Sequence, residues 1–205
     1  MGRMADLSVE EGAVLVRLAR QSIMDAYERK DTPLPKDLPK LMEKRGVFVT
    51  LNTWPSEELR GCIGFVRPDR PLNEAVAEAA RFAAFSDGRF APVEKSEMGS
   101  IVIEVSVLSV PKPISAEDMA GRLKAVHIGT DGLILQYGRA SGLLLPQVAI
   151  EWNFTPQTFL EAICEKAGMP KDMWKSPSAK LWTFGAEIYA EKKPAGASAR
   201  RPLIR

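Results

Sequence analysis

Two short strand-like runs lie too close together in this chain to be anything but neighbours. Val47–Leu51 is apolar and β-branched, bounded by Gly46 and Asn52, and a second strand begins at Leu59 and carries Arg60 and Cys62. The turn Trp54-Pro55-Ser56-Glu57-Glu58 joins them, and the spacing predicts a hairpin. The second strand, Leu59-Arg60-Gly61-Cys62-Ile63-Gly64, sets one of the chain's two cysteines between two glycines. Side chains alternate faces along a strand. Arg60 and Cys62 are therefore expected on one face, with Leu59, Ile63 and Phe65 on the other. Gly61 and Gly64 remove bulk, so a ligand or another backbone can come close.

Further along, the elements are mixed. Ser8-Val9-Glu10-Glu11 fits a capping box ahead of an amphipathic helix carrying Val9, Ala13, Val16, Ile23 and Tyr27. Pro33, Pro35 and Pro39 impose an extended connector. A second helix follows Pro71, with Leu72, Ala75, Val76, Ala79, Phe82 and Ala83 as its buried stripe. Ile101, Ile103, Val105 and Val107 alternate with Glu104 and Ser106 as a strand, and Ser115-Ala116-Glu117-Asp118 begins a short helix. Leu133–Tyr137 and Leu143–Leu145 suggest a hairpin ending at Pro146-Gln147. Thr155-Pro156 opens another helix, and a final strand runs from Leu181 to Ala190. No regular βαβ repeat connects these pieces. The pattern predicts an α+β fold with mixed or antiparallel sheets and packed helices.

At 205 residues, with 45% hydrophobic and 26% charged side chains, the chain can bury a sizeable core. No apolar run reaches the roughly 18 residues that a membrane span needs. Residues 1–6 lack the apolar core of a signal peptide, and two distant cysteines make no disulfide framework. A cytoplasmic location is the expectation. The net charge of +2 is a tail effect. Residues 192–205 carry Lys192, Lys193, Arg200, Arg201 and Arg205 and no acid, while the body is slightly acidic. The expected organisation is a domain over 1–191 followed by a basic, disordered tail over 192–205. Nucleic-acid binding has only this tail behind it.

Cys62 is a candidate nucleophile if Arg60 stabilises its thiolate. Residue type alone favours a small buried hydrophobe. Thiol catalysis commonly uses a histidine base, and the single histidine, His127, reads as a partly buried strand residue. Asp87 and Arg89, in a polar loop, can pair with each other or aim a charge at a ligand. Gln147 and Glu151 stand in an apolar run, where Glu151 is either a general base or a solvated cap. Two cysteines and one histidine make no structural zinc set, no carboxylate spacing fits a calcium loop, and no glycine-rich loop cradles phosphate. No metal is expected, and no cofactor is named by any motif.

Four blocks together resemble the AMMECR family. They are Leu59–Gly64, Asp87-Gly88-Arg89-Phe90, Glu104-Val105-Ser106-Val107-Leu108-Ser109, and Leu145-Pro146-Gln147-Val148-Ala149 with Glu151. The family is named for a human chromosomal region linked to Alport syndrome, midface hypoplasia and elliptocytosis, and has many archaeal and bacterial members. The resemblance covers nearly the whole chain. It implies two unequal lobes, the larger built from both chain ends, with the Arg60–Gly64 block near a groove between them. It brings no assigned reaction. Related domains occur alongside Memo-type and radical SAM proteins, which implies a role in modifying a nucleic acid, a protein or a metabolite. On this view Arg60, Gly61, Gly64, Asp87, Arg89 and Gln147 bind a polar or anionic small molecule or modified group, with Cys62 as nucleophile or close contact and Glu151 as a candidate base. A non-catalytic scaffold or adaptor is the alternative, and whether the chain is an enzyme stays open.

Overall fold

The computed structural model describes residues 7–116 and 118–202. Its contacts separate the chain into two compact units, one of residues up to 108 together with 187–201, the other of residues 109–186. Each is a small α+β structure with its own sheet and core.

The first unit holds helices α1 (Val9–Tyr27) and α2 (Leu72–Phe85). Its sheet contains β1 (Val47–Thr53), β2 (Leu59–Phe65), β3 (Ile101–Leu108), β8 (Ala186–Glu191) and β9 (Ser198–Arg201), in the order β2-β1-β3-β8-β9. The β1–β2 hairpin forms as expected, and β1 also pairs antiparallel with β3. The capping box at Ser8 and Glu11 starts α1. Leu15, Val16, Ala19 and Ile23 of that helix are fully buried. Ala75, Ala79 and Ala83 bring α2 close to the sheet, where Val47, Val49, Leu51, Ile103, Val105 and Val107 form the helix-facing surface. Phe48, Thr50, Glu104 and Ser106 alternate with them and face the other way, onto what we call the outer face.

A buried ion pair closes this unit across 171 residues of sequence. Arg20 of α1 donates from Nε and Nη2 to the two carboxylate oxygens of Glu191, both at 2.6 Å. The same guanidinium donates to the carbonyls of Met98 and Ile101, and the Ile103 amide donates to Glu191. The Glu191 side chain is 4% exposed, so its charge depends on these donors.

The second unit has a four-stranded antiparallel sheet. Its strands are β4 (Lys112–Pro113), β7 (Lys180–Phe184), β5 (Gly132–Tyr137) and β6 (Ala140–Leu144), in that order. Helices α3 (Met119–Lys124), α4 (Pro146–Glu151) and α5 (Pro156–Lys166) accompany it. Leu133, Leu135, Phe159, Leu160, Ile163, Cys164, Trp174 and Leu181 make the core. Arg122 is buried there with its guanidinium donating to the carbonyls of Ala116, Trp174, Ser176 and Ala179.

Four local expectations change. The run Leu181–Ala190 is two strands in two different sheets, broken at Gly185, whose N–H donates to Ser109 Oγ at 2.8 Å and whose carbonyl accepts from Ser109 N at 2.9 Å. The tail is ordered in part: Ser198–Arg201 pairs antiparallel with Ile188–Glu191, because an edge strand needs only backbone partners. Residues 203–205 lie outside the described residues. His127 is not in a strand; its exposed ring sits in the turn after α3, with Nδ1 3.0 Å from Asp131. Pro146-Gln147 starts the helix α4 rather than merely ending a hairpin, the proline occupying the first turn where no amide hydrogen is needed.

Replacing Glu191 by Gln removes one partner of a buried pair and leaves the Arg20 charge behind, which costs about 3 kcal/mol. A lower urea midpoint is the expected readout. Glu28→Gln, at the exposed pair with Lys30, should leave the midpoint unchanged.

Candidate functional site

The strand β2 is the free edge of its sheet. Its pairing slips at one place: Leu51 opposes Gly61, while the next residue, Asn52, opposes Leu59. Arg60 is the extra residue of a β-bulge, and a bulge resets which way side chains point. Arg60 therefore does not share the Cys62 face as simple alternation predicts. Its Nε and Nη2 donate to the Glu97 carboxylate at 2.9 and 3.1 Å, and Nη1 donates to the Ala91 carbonyl at 2.9 Å. That pairing with Arg60 holds the Glu97 carboxyl below its ordinary value. The guanidinium is spent on the turn Lys95–Ser100 and the loop before it, away from the thiol.

Both glycines of the motif answer to packing. A Cβ on Gly61 would stand 2.2 Å from the Ala83 carbonyl oxygen of α2, and one on Gly64 would stand 2.4 Å from the Phe48 ring. The close approach expected at the two glycines is made here by the α2 backbone and the Phe48 ring.

Asp87 and Arg89 do come together with Cys62, through its backbone. The Cys62 amide donates to Asp87 Oδ2 at 2.8 Å, and Arg89 Nη2 donates to the Cys62 carbonyl at 3.2 Å. Arg89 closes the ring by donating to both Asp87 oxygens, at 2.9 and 2.7 Å. Two side chains thus stand where the backbone of a neighbouring strand would otherwise pair, satisfying an edge that is costly to bury unpaired. The Asp87 side chain is 5% exposed and Arg89 56%. The Arg89 guanidinium, then the Cys62 and Arg89 amides, hold the Asp87 carboxyl well below the usual carboxylate range against the cost of burial.

The Cys62 side chain meets a different set of groups. Thr50 opposes it on β1 and donates from Oγ1 to Sγ at 3.3 Å. On β3, Glu104 opposes Thr50. Thiol, hydroxyl and carboxylate thus form one cross-strand row on the outer face. Burial pushes the Cys62 thiol up; the Thr50 hydrogen bond and Arg89 pull it down, and Asp87 and Glu104 add to the rise. At the β3 end of the row Arg201 Nη1 lies 3.5 Å from Glu104 Oε2, and its Nη2 lies 3.8 Å from Glu57 Oε1. Neither Thr50 nor Glu104 was an expected site residue. The alternation around Glu104 marked its face, but only the register of three strands sets it beside Thr50 and Cys62.

Gln147 and Glu151 lie on the second unit, four residues apart on α4 and so on one side of it. Glu151 is exposed and Gln147 half-buried. Among the described residues no three His, Cys, Asp or Glu side chains converge as a metal site would require, and no helix is long and apolar enough to cross a membrane.

Fold and site define a class: α+β proteins whose sheet edge carries a glycine-flanked cysteine, its peptide clamped by an Asp-x-Arg loop. The chain belongs to the AMMECR1 family, whose description matches residues 16–189. It is similar to protein Ta0236 of Thermoplasma acidophilum, 44% identical over 96% of this chain and 95% of that one. Protein PF1979 of Pyrococcus furiosus is 48% identical over 95% of both chains. The crystal structure of the uncharacterised protein PH0010 from Pyrococcus horikoshii superposes with a TM-score of 0.90 at 45% identity. That match covers 96% of this chain and 98% of the other.

Because Asp87 has a depressed folded-state pKa, its contribution is complete above its unfolded value of about 3.9 and is lost as pH falls below it. Asp87→Asn should lower stability by about 2 kcal/mol at neutral pH, the cost of losing charge-assisted hydrogen bonds. The gap between the urea midpoints of the two proteins should begin to narrow as pH falls below about 3.9 and close only as pH reaches the strongly depressed folded-state value. The raised thiol predicts a second pH dependence. Alkylation of Cys62 by iodoacetamide should climb about tenfold per pH unit through the ordinary thiol range near 8.5 and beyond. A plateau below that range would instead identify an activated thiolate.

Proposed function

We propose that this protein binds a polar small molecule, or a polar group on a larger one, on the outer face of β1, β2 and β3. The observation that carries the reading is the row Cys62–Thr50–Glu104, three polar side chains on the adjacent strands β2, β1 and β3, whose opposite face is apolar along those three strands. The chemistry it offers is hydrogen bonding and a negative charge. Capture of an anion by the motif arginines has less behind it, since Arg60 is paired with Glu97 and Arg89 with Asp87. Cys62 serves as a contact, because a thiol raised by burial is protonated at neutral pH and a poor nucleophile. The clamp on its backbone holds that contact still, and preorganisation of this kind spares a binding site the entropy of ordering. Modification of the bound group would then need its reactive partner from elsewhere.

A scaffold reading has one observation in its favour. Arg60, Asp87 and Arg89 are all spent on fixing the chain's own loops to β2.

The two readings separate in a thermal-shift screen against nucleotides, amino acids and common cofactors, since a ligand of the native state raises apparent stability. A hit should protect Cys62 from iodoacetamide and lose about tenfold or more in affinity in Glu104→Gln, the loss of one charge-assisted contact. Stabilisation by no compound, with Cys62 alkylated no faster than the buried Cys164, would support the scaffold.

A further inference from the structure

In the second unit, the chain presents an indole to solvent directly after α4. Trp152 is 71% exposed, more than any other large hydrophobic side chain among the described residues. A single apolar side chain at a surface is ordinary. Trp152 differs because it ends a stack of rings that begins in the core. Its ring lies nearly parallel to Phe154, with centroids 6.5 Å apart and planes at 17°. Phe154 is stacked in turn on the fully buried Phe159, at 6.1 Å and 29°. Stacked contacts of this kind hold rings in a set orientation. The backbone is fixed as well. Asn153 has a φ of 50°, a left-handed conformation that asparagine adopts more readily than most residues. The Phe154 amide donates to the Ala149 carbonyl at 2.9 Å, and the capping box of Thr155 and Thr158 starts α5 directly afterwards. One face of the indole is thus spent on Phe154, and the ring is offered to solvent at a preset angle.

The charges around Trp152 decide what can extend the stack. Residues 145–161 contain Glu151 and Glu161 and no lysine or arginine, and Glu151 is exposed. Phosphate is disfavoured beside these carboxylates, which counts against a nucleotide, while a cation is favoured both by them and by the ring face. Elsewhere the chain supplies such cations itself. The Arg70 guanidinium lies 4.5 Å from the Phe65 centroid, and Lys175 Nζ lies 5.7 Å from that of Trp174. Among the described residues no cation stands over Trp152 in this way. A flat cation continues a parallel stack, and in proteins that group is the arginine guanidinium. We propose that Trp152 anchors an interaction surface for a partner protein and takes an arginine of that partner onto its open face, with Glu151 supplying the adjacent negative charge. Tryptophan and arginine are the residues on which interface energy concentrates, and such residues tend to pair across an interface. This surface is independent of the outer face of β1, β2 and β3.

The test uses the full chain and a peptide of arginines spaced by glycine and serine, with lysine and citrulline counterparts. Citrulline keeps the plane of the arginine side chain and lacks its charge. In an NMR titration the arginine peptide should shift the Trp152 indole N–H, a signal identified by its loss in Trp152→Phe. It should bind about fivefold more weakly to Trp152→Ala, the scale of one cation–π contact. Trp152→Phe, with a smaller ring on the same stack, should keep part of that affinity. The lysine peptide should bind more weakly than the arginine peptide, and the citrulline peptide should not distinguish the natural chain from Trp152→Ala. Glu151→Gln should cost about twofold at low salt, a difference that added salt removes. Both side chains are exposed, so unchanged urea midpoints separate lost binding from lost folding. Equal affinity of the natural chain and Trp152→Ala for the arginine peptide overturns the proposal. So does a citrulline or lysine peptide that binds through Trp152 as tightly as the arginine peptide. An indole shift with adenosine monophosphate but not with the arginine peptide assigns the ring to a nucleobase. Self-association in sedimentation that Trp152→Ala abolishes assigns it to a second copy of this chain. Either result removes the proposed partner.

Discussion

The first unit depends on one carboxylate placed where water cannot reach it. Glu191 comes from the end of β8, and Arg20 from the first helix, so neither can be satisfied until both ends of the chain are in place. A buried charge lacking its partner is among the larger penalties a small protein can carry. The pair also fixes orientation, since a bidentate guanidinium–carboxylate contact tolerates little rotation. By engaging the Met98 and Ile101 carbonyls and the Ile103 amide, it sets the start of β3 against α1. The β1 strand lies beside β3, and β2 lies beside β1. The position of Cys62 is thus inherited, strand by strand, from an interaction that does not touch it.

The signature residues around Cys62 solve a structural problem at the sheet edge. An edge strand exposes amides and carbonyls that attract other chains, and proteins commonly cover them with a loop or a charged side chain. Here Asp87 accepts from the Cys62 amide and Arg89 donates to the Cys62 carbonyl, and Arg60 ties the adjacent bulge to Glu97. The result is an edge whose backbone groups at Cys62 are satisfied by the protein's own side chains. Structural duty and a role in recognition are compatible at such a place, because the backbone is what the motif charges hold.

Much of the fold was legible because its signals are local. Ser8 and Glu11 act within one helical turn, and a five-residue turn leaves Val47–Leu51 and the Cys62 strand little choice but to pair. The cluster that ties the Asp87–Arg89 loop to Cys62 was also within reach, since two glycines around a cysteine and the Asp87–Arg89 block stand out from ordinary packing patterns. What each residue does was not. The bulge that turns Arg60 towards Glu97 arises from a register slip between strands, which no single segment encodes. Thr50 and Glu104 become neighbours of Cys62 only through the alignment of three strands. The switch of sheets at Gly185 falls in a run with no proline to announce it. At 198–201, basic composition masked an edge strand whose pairing is made by backbone alone.

The hydrogen bonds between Ser109 and Gly185 mean that residues 109–186 leave and return at one point of the chain's framework. Topologically the second unit is a module spliced into a turn between β3 and β8. A module whose ends already meet asks of its host no more than a short loop would, because closing the connection costs little additional entropy. Its contents can change in size or sequence while the framework keeps its strand order. Natural variation and laboratory grafting are both expected to find 109–186 the more permissive part of this protein.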